Sequence, residues 1–331
     1  MTTRGKCPAP CAGLCAGGQS ARPVTTPLFV LSLPRSGSTL LQRMLMAHPH
    51  IAGVDSECWV LLPWLYARKA GGVRAEYDHQ LASNGVRNMI DALPGKDADY
   101  EAIIKGAYEA FYGRLSHPGA AYFIDKTPFY YRIIDELIRT FPDARFIVLV
   151  RNPLSVLSSS IKTFSQDSLR RSDRIEHYLR RGPQLLAAGA KALGPKAHVV
   201  RYEALVQQPE AVLSGICAHL DLETDPACWR DFEDQQVRMG DPHRNTYSGV
   251  VNRSAAWKDG LRTRVRQRLA AQYIKEIDQA YLDLCHVDRA SLQQELQALP
   301  SAPLGLKDAS DLGVGLLARW AKHKAGWLPQ A

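Results

Sequence analysis

The sequence predicts a single α/β domain in which a central parallel β-sheet is flanked by helices on both faces. Three observations carry this reading. Short apolar runs alternate along the chain with longer stretches of helical periodicity. The runs at 28–31 and 145–150 lack polar alternation, as strands covered on both faces require. Each run passes through a tight turn straight into a helical segment, the order of a βα unit.

The elements follow in order. Residues 1–26 read as a mobile tail rich in Gly, Ala and Pro. The first strand is Leu28-Phe29-Val30-Leu31, and the loop Ser32-Leu33-Pro34-Arg35-Ser36-Gly37 follows it. Ser38 to Ala47 form a helix with Leu40, Leu41, Met44 and Leu45 on one face and Pro49 beyond its end. A second, shorter pair is Tyr122-Phe123-Ile124, then Asp125-Lys126-Thr127, then a helix over 128–140. The third pair is the clearest: a strand over Arg145–Val150, a turn at Arg151-Asn152, and a helix from Pro153 to about Phe164. A fourth strand is expected at His198–Tyr202. Further helices are expected near 57–68, 99–115, 171–191, 209–220 and 261–284. No internal repeat and no boundary between two cores is visible, so 27–300 is taken as one domain and 301–331 as an extension. Within that extension Leu316, Leu317, Trp320 and Trp327 lie among Arg319, Lys322 and Lys324, the pattern of a short amphipathic helix that packs on the domain.

Composition bounds the function. The 331 residues are 46% hydrophobic and 22% charged, which excludes global disorder. No apolar stretch approaches the roughly 20 residues of a membrane-spanning helix. The formal charge of +8 suits an anionic ligand. Cys58, Cys217, Cys228 and Cys285 are scattered and read as mostly buried thiols of a reducing compartment. Cys7, Cys11 and Cys15 match no metal-binding spacing, and no metal is expected. The N-terminus lacks the apolar core of a signal peptide, so a cytoplasmic protein is expected.

The loop after the first strand carries the chemistry. A strand, a glycine–serine turn and a helix N-terminus together gather backbone N–H groups and the positive end of a helix dipole. Against the Walker A pattern, Gly37 and Thr39 match the second glycine and the hydroxyl. Ser32 replaces the first glycine and Ser38 the lysine. Without that lysine a Mg²⁺-bound triphosphate fits poorly. A single phosphate or a diphosphate-like group, with Arg35 for charge, fits better.

Leu31-Ser-Leu-Pro-Arg-Ser-Gly-Ser-Thr-Leu-Leu41 resembles the 5′-phosphosulfate loop of sulfotransferases, which use 3′-phosphoadenosine 5′-phosphosulfate (PAPS) as donor and release 3′,5′-adenosine bisphosphate (PAP). Phe146-Ile-Val-Leu-Val-Arg-Asn-Pro-Leu-Ser-Val-Leu-Ser-Ser-Ser160 resembles the family's second signature, which binds the 3′-phosphate. Asp125-Lys-Thr-Pro128 and Val200-Arg-Tyr-Glu203 resemble segments of its membrane-type and bacterial branches. The resemblance runs from about 27 to 220 and fades by about 270. It implies the P-loop-like sulfotransferase fold and metal-independent, in-line sulfuryl transfer to a hydroxyl or amine.

The resemblance also implies roles. Arg35 serves the 5′-phosphosulfate as a fixed charge, with Ser36, Gly37, Ser38 and Thr39 supplying N–H groups and hydroxyls. Lys126 stabilises charge on the transferring group. Arg151 and Ser159 read the 3′-phosphate, with Ser155 and Ser158 as weaker neighbours. Tyr202 corresponds to a tyrosine near adenine, or else to a core residue. Asn252-Arg253-Ser254 resembles, loosely, a late loop that closes over the 3′-phosphate, which makes Arg253 and Ser254 candidates. Glu57 is the expected general base, with Asp55 as its rival. The histidine of the cytosolic branch is absent, since Pro128 follows Lys126-Thr127, and His48 and His50 are expected to be structural. The adenine-stacking tryptophan of that branch falls on Leu40.

Two rival classes fit the sequence less well. A P-loop kinase lacks its lysine here. A nucleic-acid-binding protein would use the eight basic residues that face two aspartates between 238 and 268, yet no zinc, RNP or helix-turn-helix pattern accompanies them. The alternation Arg262, Arg264, Arg266, Arg268 is expected to be a solvated helix face. The acceptor is not specified: a small molecule, carbohydrate or lipid is expected, and a peptide tyrosine stays open. Trp59, Trp64, Tyr66, Tyr108 and Tyr112 are aromatic candidates to line its pocket, with core packing the preferred assignment.

Overall fold

Five parallel strands form one sheet in the order β2-β3-β1-β4-β5 in a computed structural model that describes residues 25–54, 56–67, 69, 78–169, 173–230, 232, 250, 252–303 and 308. The strands are β1 (Thr26–Ser32), β2 (Ile51–Gly53), β3 (Tyr122–Lys126), β4 (Arg145–Val150) and β5 (Ala197–Arg201). Asp55, the three N-terminal cysteines, Arg238, Arg244 and the C-terminal amphipathic segment lie outside the described residues.

Side-chain alternation sorts the strands into two cores, because successive residues of a strand point to opposite faces. Phe29, Leu31, Phe123, Phe146, Val148 and Val150 pack on one side of the sheet. Leu28, Val30, Ile124, Ile147, Leu149 and Val200 pack on the other. Apolar residues at consecutive positions are therefore both buried, and this is why β1 and β4 read as unbroken apolar runs.

The second face is covered by α1 (Ser38–Met46), which contributes Leu40, Leu41, Met44 and Leu45. Beside it lie α8 (Tyr202–Gln207), α9 (Pro209–His219) and α10 (Ala227–Arg230). The first face carries α2 (Leu61–Tyr66), α4 (Asp97–Tyr112), α5 (Ile134–Thr140), α6 (Pro153–Thr163), α7 (Asp173–Leu193), α12 (Arg264–Glu276), α13 (Gln279–Cys285) and α14 (Arg289–Gln297). Helix α3 (His79–Ala92) runs beside α4, and the single turn α11 (Trp257–Gly260) sits on α6. The first core continues as far as Leu296.

Several elements differ from expectation for physical reasons. The short edge strand β2 escapes notice because three residues carry no periodicity. It forms where Gly53 lets the backbone approach β3, since a Cβ there would stand 2.4 Å from Ile124 Cγ2. The helix expected over 57–68 begins only at Leu61, so Glu57 and Trp59 lie in a loop. The stretch 128–140 is a 3₁₀ turn at Tyr130–Arg132 followed by α5. The arginine alternation is not wholly a solvated face. Arg262, Arg264 and Arg268 are exposed, but Arg266 is buried, donating to Asp167 at 2.7 Å and Asp308 at 3.0 Å. Carboxylates from two distant segments draw that one side chain inward.

Candidate active site

Parallel strands end at the same edge, so the loops after β1, β3 and β4 converge there. Lys126 is the last residue of β3, and Arg35 and Arg151 lie in the loops after β1 and β4. The register aligns Val30 of β1 with Lys126 of β3, which sets the end of β3 at the mouth of the β1 loop.

The β1 loop turns on Gly37. Its φ of 96° is left-handed, and a Cβ there would stand 2.4 Å from Tyr202 Cδ2, so both conformation and space require glycine. Gly37 opens α1, whose first turn has neither a side-chain cap nor an acidic residue. Such an N-terminus presents N–H groups and positive dipole to an anion. Ser32 and Ser36 are fully buried, and their hydroxyls have no hydrogen-bond partner. Ser38 is buried and Thr39 half-buried beside them.

Arg35 also adopts a positive φ, 69°. Its Nε donates to Ser159 Oγ at 3.1 Å, and its guanidinium lies 6.0 Å from the Phe164 ring centroid. The two segments expected to read opposite ends of the donor are therefore in direct contact. Helix α6 presents Ser159 because it starts cleanly: the Asn152 side chain accepts from Leu154 N at 2.9 Å, and Pro153 occupies the first turn.

Arg151 is buried at the end of β4. Nη1 donates to the Arg35 carbonyl at 2.9 Å and Nη2 to the Arg253 carbonyl at 3.3 Å. Its guanidinium lies 4.0 Å over the Tyr202 ring, a cation–π contact. Tyr202 is thus committed to Arg151 on its face and to Gly37 on its edge. Tyr202 itself is buried, 5% exposed. Arg253 and Ser254 come to the site through their backbones rather than their side chains. The Arg253 carbonyl meets Arg151, and the Ser254 carbonyl accepts from Ser155 Oγ at 3.1 Å. The Ser254 hydroxyl turns to Asn252 Oδ1 at 2.6 Å, and the Arg253 side chain is exposed.

Glu57 and Lys126 form the centre of the other half. Lys126 Nζ donates to Glu57 Oε1 at 3.3 Å and reaches Thr39 Oγ1 at 3.5 Å. The lysine side chain is only 3% exposed and that of Glu57 29%. Trp59 Nε1 donates to Glu57 Oε2 at 2.9 Å, so each carboxylate oxygen has a partner. Trp59 N in turn donates to Oγ1 of the buried Thr127 at 3.0 Å.

Sequence reasoning gives Thr127 and Asp125 no role of their own and prefers core packing for Trp59. Asp125 is fully buried, and its Oδ2 accepts from Tyr112 at 3.2 Å and Tyr130 at 3.1 Å. Burial pushes its carboxyl up to about 7, although the Cys58 thiol, both tyrosine hydroxyls and the Lys126 charge pull it down. Burial, reinforced by Asp125, pushes the Cys58 thiol far up, so it is not a reactive thiolate. An aspartate ending an apolar strand was the available signal. Its partners on α4 and the 3₁₀ turn were not visible. His48 is buried, with Nε2 2.9 Å from the Glu223 carbonyl oxygen and Nδ1 accepting from His50 N, a structural arrangement. Tyr108 and Tyr112 are core residues, whereas Trp59 is 41% exposed. Among the described residues no cluster of three metal-ligating side chains occurs, and no helix is long and apolar enough to cross a membrane.

Comparison with known proteins gives the family. Nodulation protein NoeE of Sinorhizobium fredii is 28% identical over 260 residues, which cover 70% of this chain and 60% of that protein. Protein-tyrosine sulfotransferase 1 of Homo sapiens is 29% identical over 136 residues, which cover 40% of this chain and 33% of that protein. The chain therefore spans about 60% or less of the length of these relatives. Among solved structures, the sulfotransferase domain from the curacin biosynthetic pathway aligns with 88% of this chain and 97% of its own, at 22% identity and a TM-score of 0.43. A family model described as the sulfotransferase family matches residues 27–226, a span that takes in the β1 loop, Glu57, Lys126, Arg151 and Tyr202. By that match, the chain belongs to the sulfotransferase family.

Proposed function

We propose that the protein transfers a sulfuryl group from PAPS to a hydroxyl or amine of a small-molecule, carbohydrate or lipid acceptor, releasing PAP, without a metal and in the cytoplasm. One observation carries the reading: three buried or half-buried cations, Arg35, Lys126 and Arg151, converge on an uncapped helix N-terminus, with the Glu57 carboxylate 3.3 Å from the central lysine.

The residues present fit a phosphosulfate and a second phosphate. The unpartnered hydroxyls of Ser32 and Ser36 and the glycine cradle leave donors for anionic oxygens. On this reading Arg35 and the N–H groups of 36–39 hold the 5′ end, while Arg151 and Ser159 hold the 3′ end. Tyr202 supports Arg151, and the backbone of Arg253 and Ser254 closes beside it.

PAPS supplies an activated sulfuryl group, transferred as its sulfur–oxygen bond to the 5′-phosphate breaks. The chain contributes position and charge, which supply most of the catalysis in transfers of this kind. Glu57 takes the proton from the attacking hydroxyl. Lys126 faces the charge that develops on the departing phosphate oxygen, and its bond to Glu57 Oε1 holds the base in register with the cradle. Arg35, as an arginine, keeps its charge throughout.

The test is incubation with radiolabelled PAPS and pooled alcohols, sugars and phenols in the presence of a chelator. Label should pass to an acceptor and fail to do so with Glu57→Gln. No transfer of label from PAPS, together with phosphate transfer from ATP–Mg²⁺ to the same pool, would return the kinase reading.

A further inference from the structure

Trp59 is out of place as a core residue. It is 41% exposed beside a charged pair, while Tyr108, Tyr112 and Tyr130 nearby are buried. Its φ of 57° is left-handed, a region that bulky side chains occupy only when their surroundings hold them there. Three contacts do so. The backbone N–H donates to Thr127 Oγ1, the indole Nε1 donates to Glu57 Oε2, and the ring lies 5.5 Å from the Phe129 ring at 35°. Thr127 and Phe129 both follow Lys126 on one turn, so the same segment presents the central lysine and the support of the indole.

We propose that Trp59, backed by Phe129, is the shelf on which the acceptor rests, and that the acceptor carries its hydroxyl on a ring with an apolar face, a pyranoside or a phenol. This rests on the sulfuryl-transfer reading of the site. An exposed indole face offers offset stacking to an aryl ring and apolar contact to the C–H face of a sugar. Its Nε1 edge is tied to the base, so a ring lying on the shelf has its rim directed at Glu57. The same bond makes Trp59 a positioning residue: with Lys126 on Oε1 and Trp59 on Oε2, the carboxylate cannot rotate freely. An open-chain alcohol would gain little from the shelf.

The experiment is saturation-transfer NMR on PAP-loaded protein with three probes: methyl glucopyranoside, p-nitrophenol and hexanol. One of the ring probes binds, hexanol does not, and the ring that binds identifies the source. Trp59→Ala weakens the ring probe by about tenfold, the upper range for a lost aromatic contact, with PAP affinity unchanged. Trp59→Phe keeps a ring face but loses the indole N–H, so KM for that probe stays within a few-fold while kcat falls. Equal binding of the ring probe to wild type and Trp59→Ala overturns the proposal, as does binding of hexanol as strong as that of the rings. Absence of any ring binding to PAP-loaded protein overturns it too. Failure to bind PAP counts instead against the donor reading, and the shelf falls with it.

Discussion

The strand-end cradle and the Glu57–Trp59 loop face each other across Lys126, yet they are built on different principles. The cradle is made of short runs at the ends of β1 and β4, and backbone groups fix much of it: the left-handed Gly37, the helix start at Asn152, the carbonyls of Arg35 and Arg253 that hold Arg151. The other half comes from separated segments tied by single side-chain contacts: Glu57 to Lys126, Trp59 to Thr127, Asp125 to Tyr112 and Tyr130. A pocket of the first kind suits one unchanging ligand. A pocket of the second kind can vary residue by residue under a constant chemistry.

The sharpest way to separate the halves is Glu57→Gln. It should cut kcat by about a hundred- to ten-thousandfold, the usual contribution of a general base, while PAP binds as before. Equal loss of PAP affinity would mean that the halves are one structural unit. Gly37→Ala breaks the cradle itself. A left-handed alanine and a Cβ pressed on Tyr202 should cost about 1–3 kcal/mol, read as a lower melting temperature, and PAP affinity should fall as Tyr202 shifts under Arg151. An unchanged melting temperature would contradict the close approach.

Asp125 gives the smallest and most specific test. Its carboxyl is pushed from 3.8 up to about 7, so between those values the native state holds a proton that the unfolded chain has released. Stability from this group therefore falls as pH rises through that window, by at most about 1.4 kcal/mol per unit. Asp125→Asn should flatten the decline in melting temperature between pH 4 and 7 relative to wild type. Parallel curves would remove Asp125 as a titrating group.

The contrast also explains what could be read from sequence. The β1 loop and the β4–α6 junction were legible because local rules dictate them: a buried apolar run, a glycine–serine turn, a proline opening a helix. Arg151 and Ser159 are candidates through the resemblance of the 146–160 segment to the family's second signature, not through spacing alone. The exposure of Trp59 is not legible in the sequence because it depends on where a loop ends, and α2 begins four residues later than Glu57. The arginine alternation at 262–268 hid Arg266, whose partners Asp167 and Asp308 lie 99 and 42 residues away. Arg253 and Ser254 meet Arg151 and Ser155 through carbonyl oxygens, a contact that no side-chain pattern announces.

The central claim is that Arg35, Lys126 and Arg151 together bind the two phosphate ends of one nucleotide. Calorimetric titration with PAP, set against 5′-AMP and ATP–Mg²⁺, tests it most directly. The account predicts micromolar binding of PAP, much weaker binding of 5′-AMP, and a loss of about ten- to a hundredfold for PAP in Arg151→Ala, the cost of a charge-assisted contact. Folded protein that ignores PAP, or that prefers ATP–Mg²⁺, would contradict it.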